Sequence, residues 1–418
     1  MADCFVVGVG STRFDKHPER SHRDLADEAI RSAFADAELD RGVDLASAWF
    51  GNCAMGVFGQ DNIRGQVCLD PLMRSGLLPQ RLPIVNVEAG CATGSSAFHA
   101  AFKDVASGLS PLSLAVGVEK VLVPDDPART FALFAGGIDQ LHREEWQTFF
   151  REAGERGGQR FEPHPHRVMF LDIHAMHARA HMAKYGTTVE QIAKIACKNH
   201  HHGVLNDLAQ YRFEVSMEQA LADRPVVEPF TRSMCCPVSD GAAAILVGSA
   251  RWLASQPASV RERALKIRAS VLTGGAWREL GEPNVAWHAA HDAYARAGIR
   301  GRDVHVAEVH DATAFCELQA TECLGLAPEG QGGAFVDSGA SQLDGVCPVN
   351  PSGGLISKGH PLAATGLGMI QELALQLRRE AGERQIANED ATIGVQHNAG
   401  GLIGFDEALC SVAVLERV

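Results

Sequence analysis

The chain has 418 residues, which is enough for two hydrophobic cores or for one large core with an excursion. Hydrophobic residues make up 46% and charged residues 21%, as is ordinary for a soluble globular protein. The formal net charge of -13 argues against broad nucleic-acid binding, and no apolar run approaches the roughly 20 residues that span a bilayer.

The cysteines and the first residues of the chain favour the cytoplasm. Residues 1–5 lack the basic and apolar segments of an export signal. The 11 cysteines are scattered along a long chain, and their odd number does not suggest a disulfide framework. We therefore expect reduced thiols in a reducing compartment, and a cytoplasmic enzyme fits best.

Strand and helix patterns alternate in residues 1–122. An apolar run at residues 4–9 predicts a buried strand, and Ser21 with Asp24 predicts the start of an amphipathic helix. Further strands are predicted at residues 84–87 and 112–118, with an alanine-rich helix between them. This alternation is typical of a layered α/β architecture.

The pattern changes to loops and short helices between residues 123 and 228. Pro124 and Pro127, a cluster of glycines and a high density of histidine mark this excursion. Strand and helix patterns then resume. We therefore divide the chain into an N-terminal half at residues 1–122, the excursion at 123–228, a return strand and helix at 229–262 and a C-terminal half at 263–418.

The C-terminal half has predicted strands at residues 304–309, 392–395 and 411–415. A helix is predicted after Pro361, because apolar residues recur on one face of the segment that follows. This helix is expected to stop at Gly382, since glycine favours the backbone conformation that ends a helix.

Cys91 is the strongest candidate nucleophile. It lies at residues 86–97, where a predicted strand leads through small residues into an alanine-rich helix. Helix starts leave backbone N–H groups unpaired and carry partial positive charge, which favours a thiolate. Small neighbours let a substrate carbonyl approach the sulfur. The alternative is an inert cysteine that packs as a small hydrophobic side chain.

A second motif spans residues 350–361 and contains Ser352, Gly359 and His360. His360 lies between a glycine and a proline, on a loop just before the predicted helix. Such a histidine can take a proton from a thiol or donate a hydrogen bond to a developing oxyanion. The alternative is a turn histidine that only caps the helix.

Two polar clusters follow predicted strands. His310-Asp311 comes directly after an apolar strand, and open α/β folds place their sites at the carboxyl ends of strands. The segment at residues 396–401, with His397 and Gly400, also follows a strand, and its glycines would let backbone N–H groups face a ligand. Each cluster alone is a weak signal, but together with the nucleophile they form a chemically complete set.

The excursion is rich in histidine. His174, His177 and His181 fall on one helical face, with His164 and His166 just upstream. Imidazoles at this spacing can converge on a metal ion, but no carboxylate or cysteine pair with metal-ligand spacing accompanies them. We therefore favour exposed or substrate-lining histidines over a metal site. Three consecutive histidines cannot share a helical face and are predicted to lie on a solvated surface: His200, His201 and His202.

The sequence resembles the thiolase superfamily, most closely the branch fused in animals to a sterol carrier domain. The resemblance is carried by residues 88–96, 236–244, 350–366 and 396–398 and by His310-Asp311, and it covers essentially the whole chain. It implies a five-layer α-β-α-β-α sandwich of two similar βαβαβ halves, with the excursion as a loop domain over an acyl-CoA. It also implies a homodimer or tetramer. Since the chain ends soon after its last strand, no carrier domain is expected.

The resemblance implies a role for each motif residue. Cys91 would carry an acyl group, and His360 would activate it and help bind the thioester oxygen. His310 would take the place of the asparagine of ordinary thiolases in that oxyanion site. The backbone N–H of Cys91 and a glycine N–H near Gly400 would form a second oxyanion site. Coenzyme A would be held by the glycine-rich loops, with predicted contacts at Gly400, Gly359 and Ser352.

The sequence departs from the family at the thiol that exchanges the proton of the substrate α-carbon. Ordinary thiolases carry this thiol in a Cys-x-Gly motif near the C-terminus, where residues 396–400 of this chain contain no cysteine. The sterol-carrier branch has a cysteine directly after His-Asp, where this chain has Ala312. Ala363 also stands where the family usually has a glycine.

Three substitutes for the missing thiol are open. His397 lies in the region of the lost C-terminal cysteine, and an imidazole titrates near neutrality. Cys316 lies one helical turn beyond Ala312 but is expected to point along its helix towards the core. A histidine of the excursion, His174 or His177, could reach in from above. We favour His397.

Three functional hypotheses follow. The first is an acyl-CoA C-acyltransferase that cleaves a 3-ketoacyl-CoA with CoA, or forms one by the reverse Claisen condensation. The second keeps the acylated Cys91 but transfers the acyl group elsewhere, or acts as a C–C lyase with a small OB-fold, zinc-ribbon partner. The third is a non-catalytic acyl-CoA-binding subunit, which has no physical need for a thiol at a helix start. We favour the first.

Overall fold

The strands form one large sheet and one small hairpin in the computed structural model, which describes residues 2–123, 126–164 and 167–418. Pro124 and His166, noted in the sequence, lie outside these ranges. The strands are β1 (Cys4–Ser11), β2 (Leu45–Gly51), β3 (Ile84–Val87), β4 (Leu112–Glu119), β5 (Pro225–Val227), β6 (Phe230–Thr231), β7 (Gly241–Ser249), β8 (Leu265–Gly274), β9 (Val306–Glu308), β10 (Ile393–Gly400) and β11 (Leu409–Arg417).

The α-helices fall into three groups along the chain. The first group is α1 (His22–Asp36), α2 (Arg64–Arg74) and α3 (Thr93–Ala106). The second lies in the excursion and comprises α4 (Pro127–Ala135), α5 (Arg143–Arg156), α6 (Met169–Tyr185), α7 (Val189–Val204) and α8 (Met217–Ala222). The third is α9 (Ala250–Ala254), α10 (Ala258–Arg263), α11 (Val285–Ala297), α12 (Ala314–Cys323), α13 (Gly332–Asp337), α14 (Gly354–Lys358) and α15 (Leu362–Arg378). Within the described ranges, no helix is long and apolar enough to cross a membrane.

The large sheet has the strand order β3-β2-β4-β7-β1-β8-β11-β10-β9. A short antiparallel pairing joins the two halves, with Phe5 of β1 opposite Lys266 and Val6 opposite Leu265 of β8. The outer strands of each half are parallel to a neighbour, β3 to β2 and β9 to β10. The loops that follow β3 and β9 carry Cys91 and the His310-Asp311 pair, at the strand ends where α/β folds place their sites.

Three hydrophobic cores separate the layers. Helices α1 and α2 cover one face of the N-terminal strands, with Leu25 and Phe34 of α1 in the core. Helices α3 and α15 share a second core that includes Phe98, Leu367 and strand residues of both halves. Helices α11 and α12 cover the C-terminal strands in a third core. These contacts give the α-β-α-β-α layering that the sequence predicts.

Most predicted elements of the two halves are confirmed. The strand at residues 84–87 is observed, and Ser21 forms a reciprocal capping box with Asp24 at the start of α1. Two boundaries are corrected. Strand β10 continues to Gly400, so the polar segment lies within the strand rather than after it. Helix α15 ends before Gly382, because Arg379 adopts a left-handed φ of 64°.

The excursion contains α4 to α8, and its predicted end at residue 228 falls in the turn between β5 and β6. The division of the chain into halves and excursion stays a prediction. The predicted solvated surface is confirmed only for His201, which is exposed and contacts Glu214 at 2.8 Å. His200 packs on Tyr211, and His202 donates to a backbone carbonyl, so both are buried. The prediction is wrong for these two because α7 packs against α8, α12, α13 and α14.

The start of α15 packs closely against the N-terminal half. A Cβ added to Gly117 of β4 would lie 1.9 Å from the carbonyl oxygen of Ala363. A Cβ added to Gly94 of α3 would lie 2.4 Å from the same oxygen. The two glycines therefore set how closely α15, and the His360 loop before it, approaches β4 and α3.

We expect Gly117→Ala to lower the free energy of unfolding by about 1–3 kcal/mol, because the added methyl group meets backbone that must move. Gly274→Ala is the matched control, since a Cβ there has no neighbour within 4 Å. Chemical denaturation followed by circular dichroism measures both variants. Equal unfolding midpoints for the two variants would contradict this account of the packing.

Candidate active site

Five of the seven predicted site residues line one cavity of about 340 Å³. They are Cys91, His310, His360, His397 and Gly400. Apolar side chains of the excursion, including Phe134 and Leu171, form another part of the wall. The volume lies in the range of small-molecule sites. Residues from both halves and from the excursion therefore meet at one site.

Cys91 lies where the chain passes from β3 to α3. Gly90–Ala92 forms a single 3-10 turn, and α3 begins at Thr93. The Sγ atom of Cys91 lies 3.2 Å from Nε2 of His360. Gly400 of β10 packs so closely against the turn that a Cβ there would lie 2.5 Å from the Cys91 nitrogen. A side chain at position 400 would therefore push β10 away from the nucleophile.

The Cys91 thiol is neutral at rest. Burial, reinforced by the Glu119 carboxyl, raises the pKa of the thiol to about 12. The backbone N–H of Cys91 lowers this pKa, but by less than burial raises it. The sequence expectation of a thiolate favoured by the helix start is therefore wrong for the resting group. Attack by the sulfur requires a neighbouring base to take its proton.

His360 is oriented as that base. Thr365 Oγ1 donates to the Pro361 carbonyl at 2.9 Å, so the same oxygen accepts the Nδ1–H of His360 at 2.8 Å. The hydrogen of the neutral ring is then on Nδ1, and Nε2 faces the Cys91 sulfur with its lone pair. Burial lowers the pKa of His360 to about 3, which keeps the ring neutral.

His310 carries its hydrogen on the other ring nitrogen. Asn398 Nδ2 donates to His310 Nδ1 at 2.8 Å, and Ser95 Oγ donates to Asn398 Oδ1 at 2.8 Å. Gln396 Nε2 donates in turn to Ser95 Oγ at 2.8 Å. Because all three hydrogen bonds run in the same direction, Nδ1 of His310 is an acceptor and Nε2 carries the hydrogen.

Cys91, His310 and His360 form a compact group. The sulfur and one ring nitrogen of each histidine all lie within 4.8 Å of one another. Burial, together with the neighbouring imidazoles, lowers the pKa of His310, so this ring is also neutral. The group provides a nucleophile, a base and a hydrogen-bond donor, which is what attack of a thiol on a carbonyl requires.

His397 lines the cavity, but one of its nitrogens is occupied. Its Nδ1 accepts the backbone N–H of His310 at 3.4 Å. The hydrogen of the neutral ring is therefore on Nε2, which is buried and has no hydrogen-bond partner in the described part of the chain. Burial lowers the pKa of His397 to about 4. The ring thus offers a hydrogen-bond donor at the cavity wall.

Ser352 and Gly359 shape the loop of His360 instead of lining the cavity. The buried Ser352 hydroxyl donates to Glu308 at 2.8 Å. A Cβ on Gly359, whose φ is 111°, would lie 2.8 Å from Ser239 Oγ. That hydroxyl accepts the backbone N–H of His360 at 2.8 Å. The predicted coenzyme A contacts at Ser352 and Gly359 are therefore corrected, because these residues are absent from the cavity wall as described.

Buried ionic contacts hold the loop that follows β9. Lys198 Nζ lies 3.0 Å from Glu317, and Asn199 of the same helix donates to Asp311 and to Glu317 at 2.8 Å. Asp311 also accepts the backbone N–H of Leu355 at 2.7 Å. Buried charges require partners of this kind. Helix α7 of the excursion therefore ties the loop after β9 to α14.

The histidines of α6 have separate surroundings. His177 Nε2 donates to the Phe405 carbonyl at 3.2 Å. His181 contacts Thr187 at 3.0 Å and Glu322 at 3.1 Å. His174 lines the cavity. Their shared helical face is confirmed, but the three imidazoles do not converge on one point.

Several cavity residues were missed or misplaced from the sequence. Cys316 was expected to point to the core, but it lines the cavity, with its Sγ 3.2 Å from Thr313 Oγ1. Cys236 and Glu407 also line the cavity without having been assigned. Thr365, in the first turn of α15, was the residue that helical spacing after His360 could have indicated. The sequence near Glu407 gives no comparable signal.

Comparisons with known proteins cover the whole chain. Residues 4–251 match the family model "Thiolase, N-terminal domain", and residues 275–415 match "Thiolase C-terminal domain-like". The chain is 35% identical over 407 residues to an acetyl-CoA acetyltransferase of Methanothermobacter thermautotrophicus, covering 97% of this chain and 98% of that protein. It is 35% identical over 420 residues to sterol carrier protein 2 of Homo sapiens, covering 95% of this chain and 69% of that protein.

A solved structure shares the fold. The structure titled "Ltp2-ChsH2(DUF35) aldolase" superimposes with a TM-score of 0.77, at 21% sequence identity, over 99% of this chain and 97% of that chain. At this identity, the likeness concerns the fold alone.

We expect Thr365→Val to slow transfer of an acyl group to Cys91 by about 10- to 100-fold, part of the contribution of a general base, because Nδ1 of His360 loses its acceptor. Thr365→Ser is the matched control, since it keeps the hydroxyl. Stopped-flow mixing with an acyl-CoA, followed by intact-protein mass spectrometry, measures the rate. A Val variant as fast as the Ser variant would contradict the proposed role of this hydrogen bond.

Proposed function

The chain belongs to the thiolase family and is an acyl-CoA C-acyltransferase, and we propose that Cys91 carries the acyl group. The observation behind this proposal is the 3.2 Å contact between Cys91 Sγ and His360 Nε2, with the hydrogen of His360 held on its other nitrogen. We assign to the protein the thiolytic cleavage of a 3-ketoacyl-CoA or the reverse Claisen condensation. Coenzyme A is a substrate in one direction and a product in the other.

In the cleavage direction, His360 takes the proton of Cys91 as the sulfur attacks the 3-keto carbon. The negative charge that develops on the keto oxygen needs donors, and His310 Nε2–H and the newly protonated His360 lie beside the sulfur. The C2–C3 bond then breaks. The acyl group stays on Cys91 as a thioester, and C2 of the departing acetyl-CoA receives a proton.

In the second step, the thiol of CoA attacks the thioester of Cys91. The CoA proton passes to a base, the carbon–sulfur bond to Cys91 breaks, and acyl-CoA leaves as the cysteine regains its proton. The backbone N–H of Cys91 and the glycine backbone around Gly400 would hold the oxygen in this step. The close packing of Gly400 against the Cys91 nitrogen supports this assignment.

A C–C lyase that works with a partner subunit is the second candidate. Ala312 and residues 396–400 leave both family positions of the acid/base thiol without cysteine. The similar solved structure is, by its title, an aldolase with a DUF35 component. Both observations support a small OB-fold, zinc-ribbon partner. Activity found only after such a partner is added would favour this candidate. The retained contact between Cys91 and His360 weighs against a non-catalytic acyl-CoA-binding subunit.

We further propose a cytoplasmic homodimer or tetramer. Strand β3 lies at the edge of the described sheet, and its Val85 is 43% exposed. An open edge strand with an apolar side chain is a surface that a second copy can cover. The 11 cysteines of the chain are all free thiols, which supports a reducing compartment. Light scattering of the purified protein measures the oligomeric state.

Incubation with a panel of 3-ketoacyl-CoA substrates and CoA tests the proposed reaction. We expect the unmodified protein to release acetyl-CoA, and Cys91→Ser to lose at least about a thousandfold in rate, as nucleophile variants do. Cys197→Ser is the matched control, because Cys197 lies on α7 and contacts Met217. Absence of acetyl-CoA across a broad panel would contradict the proposal.

The pH dependence of alkylation tests the neutral state of Cys91. Because the pKa of this thiol is raised to about 12, its thiolate fraction keeps growing with pH well above neutrality. We expect its reaction with iodoacetamide to accelerate from about pH 7 to about pH 10 without a plateau. Mass spectrometry of the Cys91 peptide separates it from the other thiols. A rate that is already constant below neutral pH would indicate a preformed thiolate–imidazolium pair instead.

A further inference from the structure

The proton of the substrate α-carbon lacks an assigned acid/base group. In the proposed reaction, C2 of the acetyl unit must lose a proton during condensation and gain one during cleavage. The thiols that do this elsewhere in the family are replaced by Ala312 and by residues 396–400. Another group in the cavity wall must therefore accept and return this proton.

His397 and Cys316 are poorly suited to this exchange. Since Nδ1 of His397 accepts the backbone N–H of His310 at 3.4 Å, its unoccupied nitrogen carries a hydrogen and has no lone pair for another proton. Cys316 would have to become a thiolate to accept the proton. Burial raises the pKa of this thiol to about 12, which disfavours the thiolate.

His174 differs from both residues. It lies in the second turn of α6 and lines the cavity together with Phe170 and Leu171 of the same helix. Its Nδ1 is buried and has no hydrogen-bond partner in the described ranges of the chain. Burial lowers the pKa of His174 to about 4, so the ring is neutral and holds a lone pair. His174 is also close enough to His310 to lower the pKa of that ring.

Glu407 provides a charge partner for His174. Its carboxyl group lines the same cavity, and each group shifts the other: Glu407 raises the pKa of His174, and His174 lowers that of Glu407. Two hydrogen bonds fix the neighbouring chain. His177, one turn after His174, donates to the Phe405 carbonyl at 3.2 Å, and Arg278 donates to the same oxygen at 2.6 Å. Helix α6 is therefore held against the segment that carries Glu407.

We propose that His174, supported by Glu407, is the acid/base that exchanges the proton of the substrate α-carbon. In condensation, the neutral ring takes a proton from C2 of acetyl-CoA, and the C2 electron pair attacks the thioester of Cys91. The C–C bond forms as the carbon–sulfur bond to Cys91 breaks. In cleavage, the His174 imidazolium returns its proton to C2. The Glu407 carboxylate stabilises the imidazolium in both directions. This inference rests on the proposed function.

Two measurements separate this step from acylation. Intact-protein mass spectrometry reports transfer of the acyl group from an acyl-CoA to Cys91, and incubation of acetyl-CoA in D2O reports exchange at its α-carbon. We expect His174→Gln to lower the exchange rate by at least about 100-fold, as loss of a general base does, with acylation within about threefold of the unmodified protein. Glu407→Gln should lower exchange by about tenfold, because the imidazolium loses its counter-charge.

The exposed His201 supplies the matched control, and His201→Gln should exchange at the unmodified rate. Normal acylation with unchanged exchange in His174→Gln would overturn the role of His174 alone. Loss of exchange in His397→Gln but not in His174→Gln would overturn it as well and would assign the proton to His397. Failure of the unmodified protein to acylate Cys91 would overturn both this inference and the proposed function.

Discussion

The contact between the Cys91 sulfur and His360 Nε2 depends on the layered fold, because the two residues come from opposite halves of the chain. Cys91 follows β3 at the edge of the N-terminal strands, and His360 lies directly before α15, between the two sets of strands. The close approach of α15 to Gly117 and Gly94 brings the two together. A shift of this helix would separate base and nucleophile while leaving both halves folded.

The site is organised by the positions of hydrogens rather than by fixed charges. Burial lowers the pKa of His310, His360 and His397 and raises that of Cys91, so the resting groups are neutral. Neighbouring hydrogen bonds then decide which nitrogen of each imidazole is a donor. Thr365 leaves His360 an acceptor, whereas the Asn398 amide leaves His310 a donor. Three rings of one residue type thereby obtain different chemical roles.

Local sequence patterns predicted the layered fold and the residues around the nucleophile. Apolar periodicity identified the strands, and small residues around Cys91 indicated a turn open to a ligand, because these signals lie within a few neighbouring residues. The family resemblance added the roles of His360 and His310. Ser352 and Gly359 were placed on the ligand because a motif does not reveal which way its side chains point. In the structure they face Glu308 and the Ser239 hydroxyl.

The remaining features arise from contacts between distant segments. Glu407 and His174 are far apart in the sequence, and they line the same cavity because α6 is anchored to the Phe405 carbonyl. His200 and His202 were expected in solvent, but the helices packed around α7 bury them. Neither result follows from residue type or spacing, since each depends on which elements pack together. The hydrogen-bond direction at His397 is likewise set by the backbone of a separate loop.

A crystal structure of the protein after reaction with an acyl-CoA tests the central claim most directly. The account predicts continuous electron density from Cys91 Sγ to the acyl carbonyl carbon, with His360 Nε2 still beside the sulfur. An acyl-CoA bound in the cavity with its own thioester intact, next to an unmodified Cys91, would contradict the account.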